Sequence, residues 1–238
     1  MRTLGLLGGM SWESTVSYYR ILNERVRDRV GGLHSAPLVL HSVDFAVIEA
    51  LQRADDWDAA AAVLASAAEG LRAAGAEALV LCTNTMHLVA PQLEATAGMP
   101  LLHIADATAV RIRAAGLHRV ALLGTRFTME RDFYRRRLED AGIEVLVPGA
   151  RERETVHRVI YDELCLGQIR ADSREAYCGI VQTMVGQGAQ GVILGCTEIG
   201  LLLGEGDAPV PLFDTARIHA EAAVDWALGD IAVFNAQA

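Results

Sequence analysis

GAEALVLCTNTMH (75–87) and GAQGVILGCTEIG (188–200) are two copies of one pattern. Each opens on Gly-Ala, runs through an aliphatic stretch and reaches Cys-Thr. A short apolar run bounded by glycine and polar residues reads as a buried parallel strand that feeds a helix. Cys82 and Cys196 hold the same place in each copy. Two like thiols from two like halves suggest a pair of facing acid/base groups.

The repeat continues outward. LGLLG (4–8) resembles VALLG (120–124), LVLHSV (38–43) pairs with IEVLV (143–147), and MPLLHI (99–104) pairs with VPLFD (210–214). Each half therefore carries four short apolar runs in the same order, with helical stretches between them. Alternation of strand and helix predicts an α/β fold with parallel sheets. The expected architecture is two similar four-stranded parallel-sheet domains related by a pseudo-twofold axis, with the active site in the cleft between them. A single eight-stranded sheet is the alternative.

Cap residues place the helices. Ser11 is expected to cap a helix ending near Gly31, Asp55 or Asp56 to start an Ala-rich helix ending before Gly75, and Asp106 to cap one that stops at Gly116. Another helix is expected just after Cys82. The second half predicts helices over 128–141, 156–166, 172–187 and 215–229. The tail beyond Gly229 is weakly patterned and is expected to fray.

Composition excludes several classes. No apolar run among the 238 residues reaches the ~20 needed to span a bilayer. The first residues do not read as a signal peptide, so a cytoplasmic location is expected. A net charge of −9 argues against nucleic acid. The Arg135, Arg136, Arg137 run lies among acids and reads as a solvated helix face. The chain contains no lysine, so it cannot form the lysine aldimine that pyridoxal phosphate enzymes require. The four cysteines show no zinc-type spacing, and neither a metal nor a cofactor is expected.

Ligands of open α/β folds bind at the carboxyl ends of strands, where both cysteines fall. A following helix N-terminus is expected to lower the thiol pKa toward neutrality and to offer a socket for a carboxylate. Thr83, Asn84, Thr85 and Thr197 supply hydrogen bonds for a carboxylate or ammonium group, with the hydroxyls of Thr125 and Thr128 within reach. Gly8-Gly9-Met10-Ser11 forms a tight turn lining the cleft. The full dinucleotide pattern is missing there, which argues against a nucleotide site. Met10, Ser11, Gln52 and Glu198 complete the expected binding set. Cys165, Cys178, His87, His103, Trp12 and Trp57 are expected to pack.

These motifs resemble the aspartate/glutamate racemase family of cofactor-independent amino-acid racemases. The resemblance rests on GLLGGMSWEST near Leu4, CTNTMH at Cys82, ALLGT at Ala121 and GCTE at Gly195. It is closest to the subgroup that includes broad-specificity amino-acid racemases. The resemblance implies two α/β domains, 1–105 plus 215–238 and 106–214, with the C-terminal helix returning to the first. It implies Cys82 and Cys196 as the acid/base pair, a small amino-acid substrate and a homodimer. Aspartate-selective members hold the distal carboxylate with an arginine soon after the second strand and a lysine on a second-half helix. This chain has no arginine there until Arg53, and Cys165 falls where the lysine belongs. A related enzyme, such as a hydantoin racemase, a maleate-type isomerase or a decarboxylase, is one rival reading, and a small-molecule binding protein is another.

Overall fold

The computed structural model describes residues 1–234. The first half runs β1 (Leu4–Gly8), α1 (Trp12–Val30), β2 (Leu38–Ser42), α2 (Phe45–Arg53), α3 (Trp57–Ala73) and β3 (Ala78–Leu81). A 3-10 turn (Thr85–Val89) leads into α4 (Ala90–Ala97) and then α5 (Ile104–Ala114). The second half runs β4 (Arg119–Gly124), α6 (Arg126–Glu130), α7 (Asp132–Asp140), β5 (Glu144–Leu146) and α8 (Ala150–Asp162). A 3-10 turn (Leu164–Leu166), α9 (Ala171–Gly186), β6 (Val192–Gly195), α10 (Ile199–Leu202), β7 (Leu212–Asp214) and α11 (Thr215–Ala227) complete it.

The strands form two separate parallel sheets, ordered β2-β1-β3 and β5-β4-β6-β7. The first has three strands where four were expected. The MPLLHI run lies beside β3 but pairs only through an isolated bridge, Leu101 with Leu79. Two groups needed to extend that ladder are bonded elsewhere. The Leu102 carbonyl accepts from His219 Nε2 at 2.6 Å, and the Leu81 carbonyl accepts from the Thr83 amide at 2.8 Å. In the second sheet the close approach of β4 and β6 requires glycine. A Cβ on Gly124 would lie 2.8 Å from the Gly195 carbonyl oxygen.

The inner strands β1, β3, β4 and β6 are buried on both sides, which is why they read as unbroken apolar runs. Leu7, Leu79 and Leu81 face a core shared with α3, while Leu4, Leu6 and Val80 face α1 and α11. α11 joins the halves. Ala216, Ala220 and Val224 pack on the first sheet, and Ile218 and Ala222 pack with β4 and α5. No described helix is long and apolar enough to cross a membrane.

Several local expectations are corrected. Ser11 precedes α1, but its side chain makes no capping bond. α5 is capped by His103, whose Nδ1 accepts from the Ala105 amide at 3.2 Å, and Asp106 lies within its first turn. The helix expected over 128–141 is two helices, broken where Arg131 is extended (ψ 148°). α2, capped by Asp44, was not expected. Trp12 is 62% exposed rather than packed. Trp57 packs edge-on against Phe127 at 5.2 Å. Arg135 and Arg136 pair with Asp132, and Arg137 pairs with Asp106, as a solvated charged face requires. Of the tail expected to fray, Ile231–Phe234 form a 3-10 turn, and residues 235–238 lie outside the described residues.

His87, His103 and His219 form a buried cluster behind the Cys82-Thr83 segment. The His87 ring lies 4.4 Å from that of His103 and 5.8 Å from that of His219. Hydrogen bonding fixes neutral tautomers. His87 Nε2 accepts from the Ile104 amide, so its Nδ1 donates to the Thr83 carbonyl at 2.7 Å. His219 donates to Leu102, and its Nδ1 accepts from Tyr18 Oη at 2.8 Å. Burial pushes His87 and His103 well below the usual imidazole value and His219 down to about 4. In the unfolded chain each titrates near 6.5, so the unfolded state binds more protons in acid. The stability associated with neutral His219 is complete above pH ~6.5 and falls by about 3 kcal/mol as pH drops toward ~4, and His87 and His103 act in the same direction. The partly buried acids Asp106 and Asp214 are shifted upward and oppose this, though each is less buried than the histidines. Urea midpoints at pH 7 and pH 4.5 are expected to differ accordingly, with His219→Gln reducing the difference.

Candidate active site

The carboxyl ends of β3 and β6 meet at one small cavity of about 20 Å³. That is room for roughly one water. Its walls come from six places. Met10 follows β1, Phe45 and Gln52 lie on α2, and Thr83, Asn84 and Thr85 follow β3. Thr125 follows β4, and Gly195, Cys196 and Glu198 end β6. Ile160, Tyr161 and Cys165 come from α8 and the turn after it. The β1–α1 turn reaches the site because Gly9 (φ 93°) has no side chain. A Cβ there would lie 2.2 Å from the Val43 carbonyl oxygen.

Both thiols are held protonated. Cys82 is fully buried, and its Sγ donates a long 3.6 Å contact to the Val80 carbonyl. Burial alone pushes its pKa far above the usual thiol value. Cys196 is also raised, by burial first and then by the neighbouring Glu198 carboxylate. The expected lowering by a helix N-terminus is therefore corrected. The segment after Cys82 is a 3-10 turn starting at Thr85, and α10 after Cys196 has four residues, too short to build a useful dipole.

Glu198 is 1% exposed and fully engaged. Its Oε1 accepts from Ser11 Oγ at 2.7 Å, across the two halves. Its Oε2 accepts from Cys196 Sγ and from Thr197 Oγ1, both at 2.9 Å. A hydroxyl trio also spans the halves, with Thr85 Oγ1 2.9 Å from Thr125 Oγ1 and 3.3 Å from Thr128 Oγ1. Asn84 is different. Thr215 Oγ1 donates to the Leu194 carbonyl at 2.7 Å, so it must accept from Asn84 Nδ2 at 3.0 Å. That fixes the amide orientation and turns Oδ1 into a buried acceptor with no partner among the described residues. Such an orphan is costly in a folded protein and commonly marks a ligand contact.

A family profile described as Asp/Glu/Hydantoin racemase matches residues 7–223. The chain belongs to that racemase family. A Yersinia pestis protein classed with the Asp/Glu racemases is 57% identical, with 96% of this chain and 100% of that one covered and a TM-score of 0.89. An aspartate racemase homologue from Pyrococcus horikoshii OT3 is 35% identical over 96% of this chain and 100% of that one, TM-score 0.82. Picrophilus torridus aspartate racemase shares the fold at 21% identity, covering 96% of this chain and 95% of that one, TM-score 0.76.

In this racemase-family chain, Met10, Gln52, Thr83, Asn84, Thr85, Thr125, Cys196 and Glu198 line the cavity. Ser11 and Thr197 stand behind the lining as donors to Glu198, and Thr128 stands behind it in the hydroxyl trio. Cys82 lies immediately behind Thr83 and packs with Leu6 and Tyr18. Cys178, in α9, and Cys165, in the turn after α8, both pack on the second core as expected, and Cys165 also lines the cavity. Tyr161 and Phe45 were not anticipated. Tyr161 Oη donates to Gln52 Oε1 at 2.9 Å, and its ring stacks on Phe45.

Proposed function

We propose that this protein interconverts L- and D-amino acids by moving one proton at Cα between Cys82 and Cys196, without pyridoxal phosphate. The observation that carries the reading is the orphaned Asn84 Oδ1 in the same cavity as Cys196. A buried acceptor suits the substrate ammonium, which offers three donors and a charge. The hydroxyls of Thr83, Thr85 and Thr125 suit the α-carboxylate, which gains charge as the enolate forms. Each well-placed donor aimed at that charge contributes ~3–4 kcal/mol to the rate by mutational precedent. The absence of lysine from the chain removes the aldimine route and leaves the thiols as the acid/base groups.

The cavity in this closed form is far smaller than an amino acid, so its walls must part for substrate to enter and for Cys82 to face it. The proposed moving bodies are 1–105 with 215–238 against 106–214. No arginine is among the residues lining the cavity. Arg53, Arg126 and Arg131 line a separate 290 Å³ chamber that shares Gln52 with this cavity. A side-chain carboxylate would thus be held from that outer chamber, in the absence of the clamp used by aspartate-selective relatives.

The reading is tested by incubating the protein with single L-amino acids and resolving the products by chiral chromatography. Appearance of the D-enantiomer supports it, and unchanged L-substrate across the proteinogenic set contradicts it.

A homodimer is proposed on separate grounds. Trp12, Val16 and Tyr19 form an exposed apolar stripe on α1, at 62%, 58% and 54% exposure. Three large apolar side chains at helical spacing on one exposed face favour a protein contact. Trp12→Glu is expected to shift the species in light scattering from about 51 kDa, twice the 25.6 kDa chain, to monomer, and an unchanged mass contradicts this.

A further inference from the structure

Among the described residues that line the cavity, Glu198 is the one carboxylate, and its position distinguishes the two thiols. We infer that Glu198 is a positioning residue that holds Cys196 in its proton-donating form between turnovers, so that Cys196 is the acid of the resting enzyme and Cys82 its first base. The inference rests on the two-thiol reading above. It is carried by geometry. Cys196 Sγ points at Glu198 Oε2, 2.9 Å away, and the carboxylate is fixed there by Ser11 Oγ and Thr197 Oγ1.

A carboxylate that accepts a thiol's proton stabilises the S–H form and repels the thiolate. Cys82 has no such neighbour. Its upward shift arises from burial alone, and burial is relieved when the walls part and a substrate ammonium enters. Glu198, by contrast, is hydrogen-bonded to Cys196 from two positions along the same strand end. The titratable groups facing the pair are Cys165 and Tyr161 from the α8 end, Tyr177 from α9 and Tyr18 from α1, and none is a cation that would offset Glu198.

Once the walls part, Cys82 gives its proton to solvent water, and the resulting thiolate takes the Cα proton, breaking C–H and forming S–H. The Cys196 S–H bond breaks as its proton forms the new C–H bond on the other face. The electron pair left on Cys196 sulfur makes it the thiolate, which beside Glu198 regains a proton from solvent water. Cys82 already carries the proton taken from Cα, and closure restores the two protonated thiols.

The test is the pH dependence of iodoacetamide alkylation, resolved cysteine by cysteine by peptide mass spectrometry, in the full chain and in Glu198→Gln and Glu198→Asp. Glu198→Gln keeps the shape and removes the charge. In that variant the alkylation midpoint of Cys196 is expected to fall by about one pH unit or more, a tenfold change in proton affinity. The Cys82 midpoint is expected to stay in place, and Glu198→Asp is expected to fall between the two. A Cys196 midpoint that is unchanged or rises overturns the inference, because Glu198 then activates the thiol or leaves it alone. An equal fall at Cys82 overturns it as a general loosening of the site, and so does a Cys196 that stays unlabelled up to pH 10 in Glu198→Gln while Cys82 reacts. The readout needs no turnover, so a protein that racemises nothing would sink the racemase reading while leaving this result legible.

Discussion

Cys82→Ser and Cys196→Ser are each expected to lower racemisation by at least ~1,000-fold, the upper part of what one general acid or base contributes. A serine hydroxyl at either position is too weak an acid to serve as thiolate or thiol donor at neutral pH. The substitutions are close to isosteric. Cys82 makes one long contact to a carbonyl and Cys196 donates to Glu198, and serine preserves both donors. Circular dichroism and thermal melting should therefore change little while activity disappears. Each variant keeps one working thiol and should still exchange the Cα proton of a single enantiomer with solvent. The retained enantiomer should be opposite in the two variants. Full racemisation in either variant contradicts the mechanism.

Asn84→Ala has the second-largest expected effect. A hydrogen bond to a charged group contributes ~1.5–3 kcal/mol, so kcat/KM should fall by roughly 10- to 100-fold. The loss should appear in both directions of the reaction, because both enantiomers carry the ammonium. Stability should move the other way from most buried polar deletions. Asn84 Oδ1 is unpartnered in the closed form, so its removal relieves a cost, while the Thr215 hydroxyl loses one donor but still bonds Leu194. A variant that keeps wild-type kcat/KM would show that the orphaned oxygen is not aimed at substrate.

The fold was legible because strand buried on both faces is spelled as an unbroken aliphatic run, and the runs occur twice in one order. The repeat could not show which carbonyls would be claimed by side chains. His219 takes the Leu102 carbonyl from 117 positions away, and this leaves the fourth run of the first half as a single bridge. The same limit applies to the site. Residues adjacent to the Cys-Thr motifs were readable as cavity lining because they follow strand ends. Ser11 looked like a helix cap from its neighbours, yet it spends its hydroxyl on Glu198, 187 positions away. Cys165 looked like helix filler, and only the packing of α8 against the cleft brings it to the cavity. The thiol pKa was misjudged for a related reason. Strand ends predict helix N-termini, but a four-residue helix and a 3-10 turn supply little dipole, and burial then decides the direction.

The central claim, proton transfer between two thiols on opposite faces of Cα, is tested most directly by following a single protiated enantiomer in deuterium oxide. Product formation is read by chiral chromatography and isotope content by mass spectrometry at early times. Two separate acid/base groups predict product almost wholly deuterated at Cα, with the remaining substrate still protiated. Product that keeps the original proton, or substrate that exchanges as fast as product appears, would contradict a two-thiol mechanism.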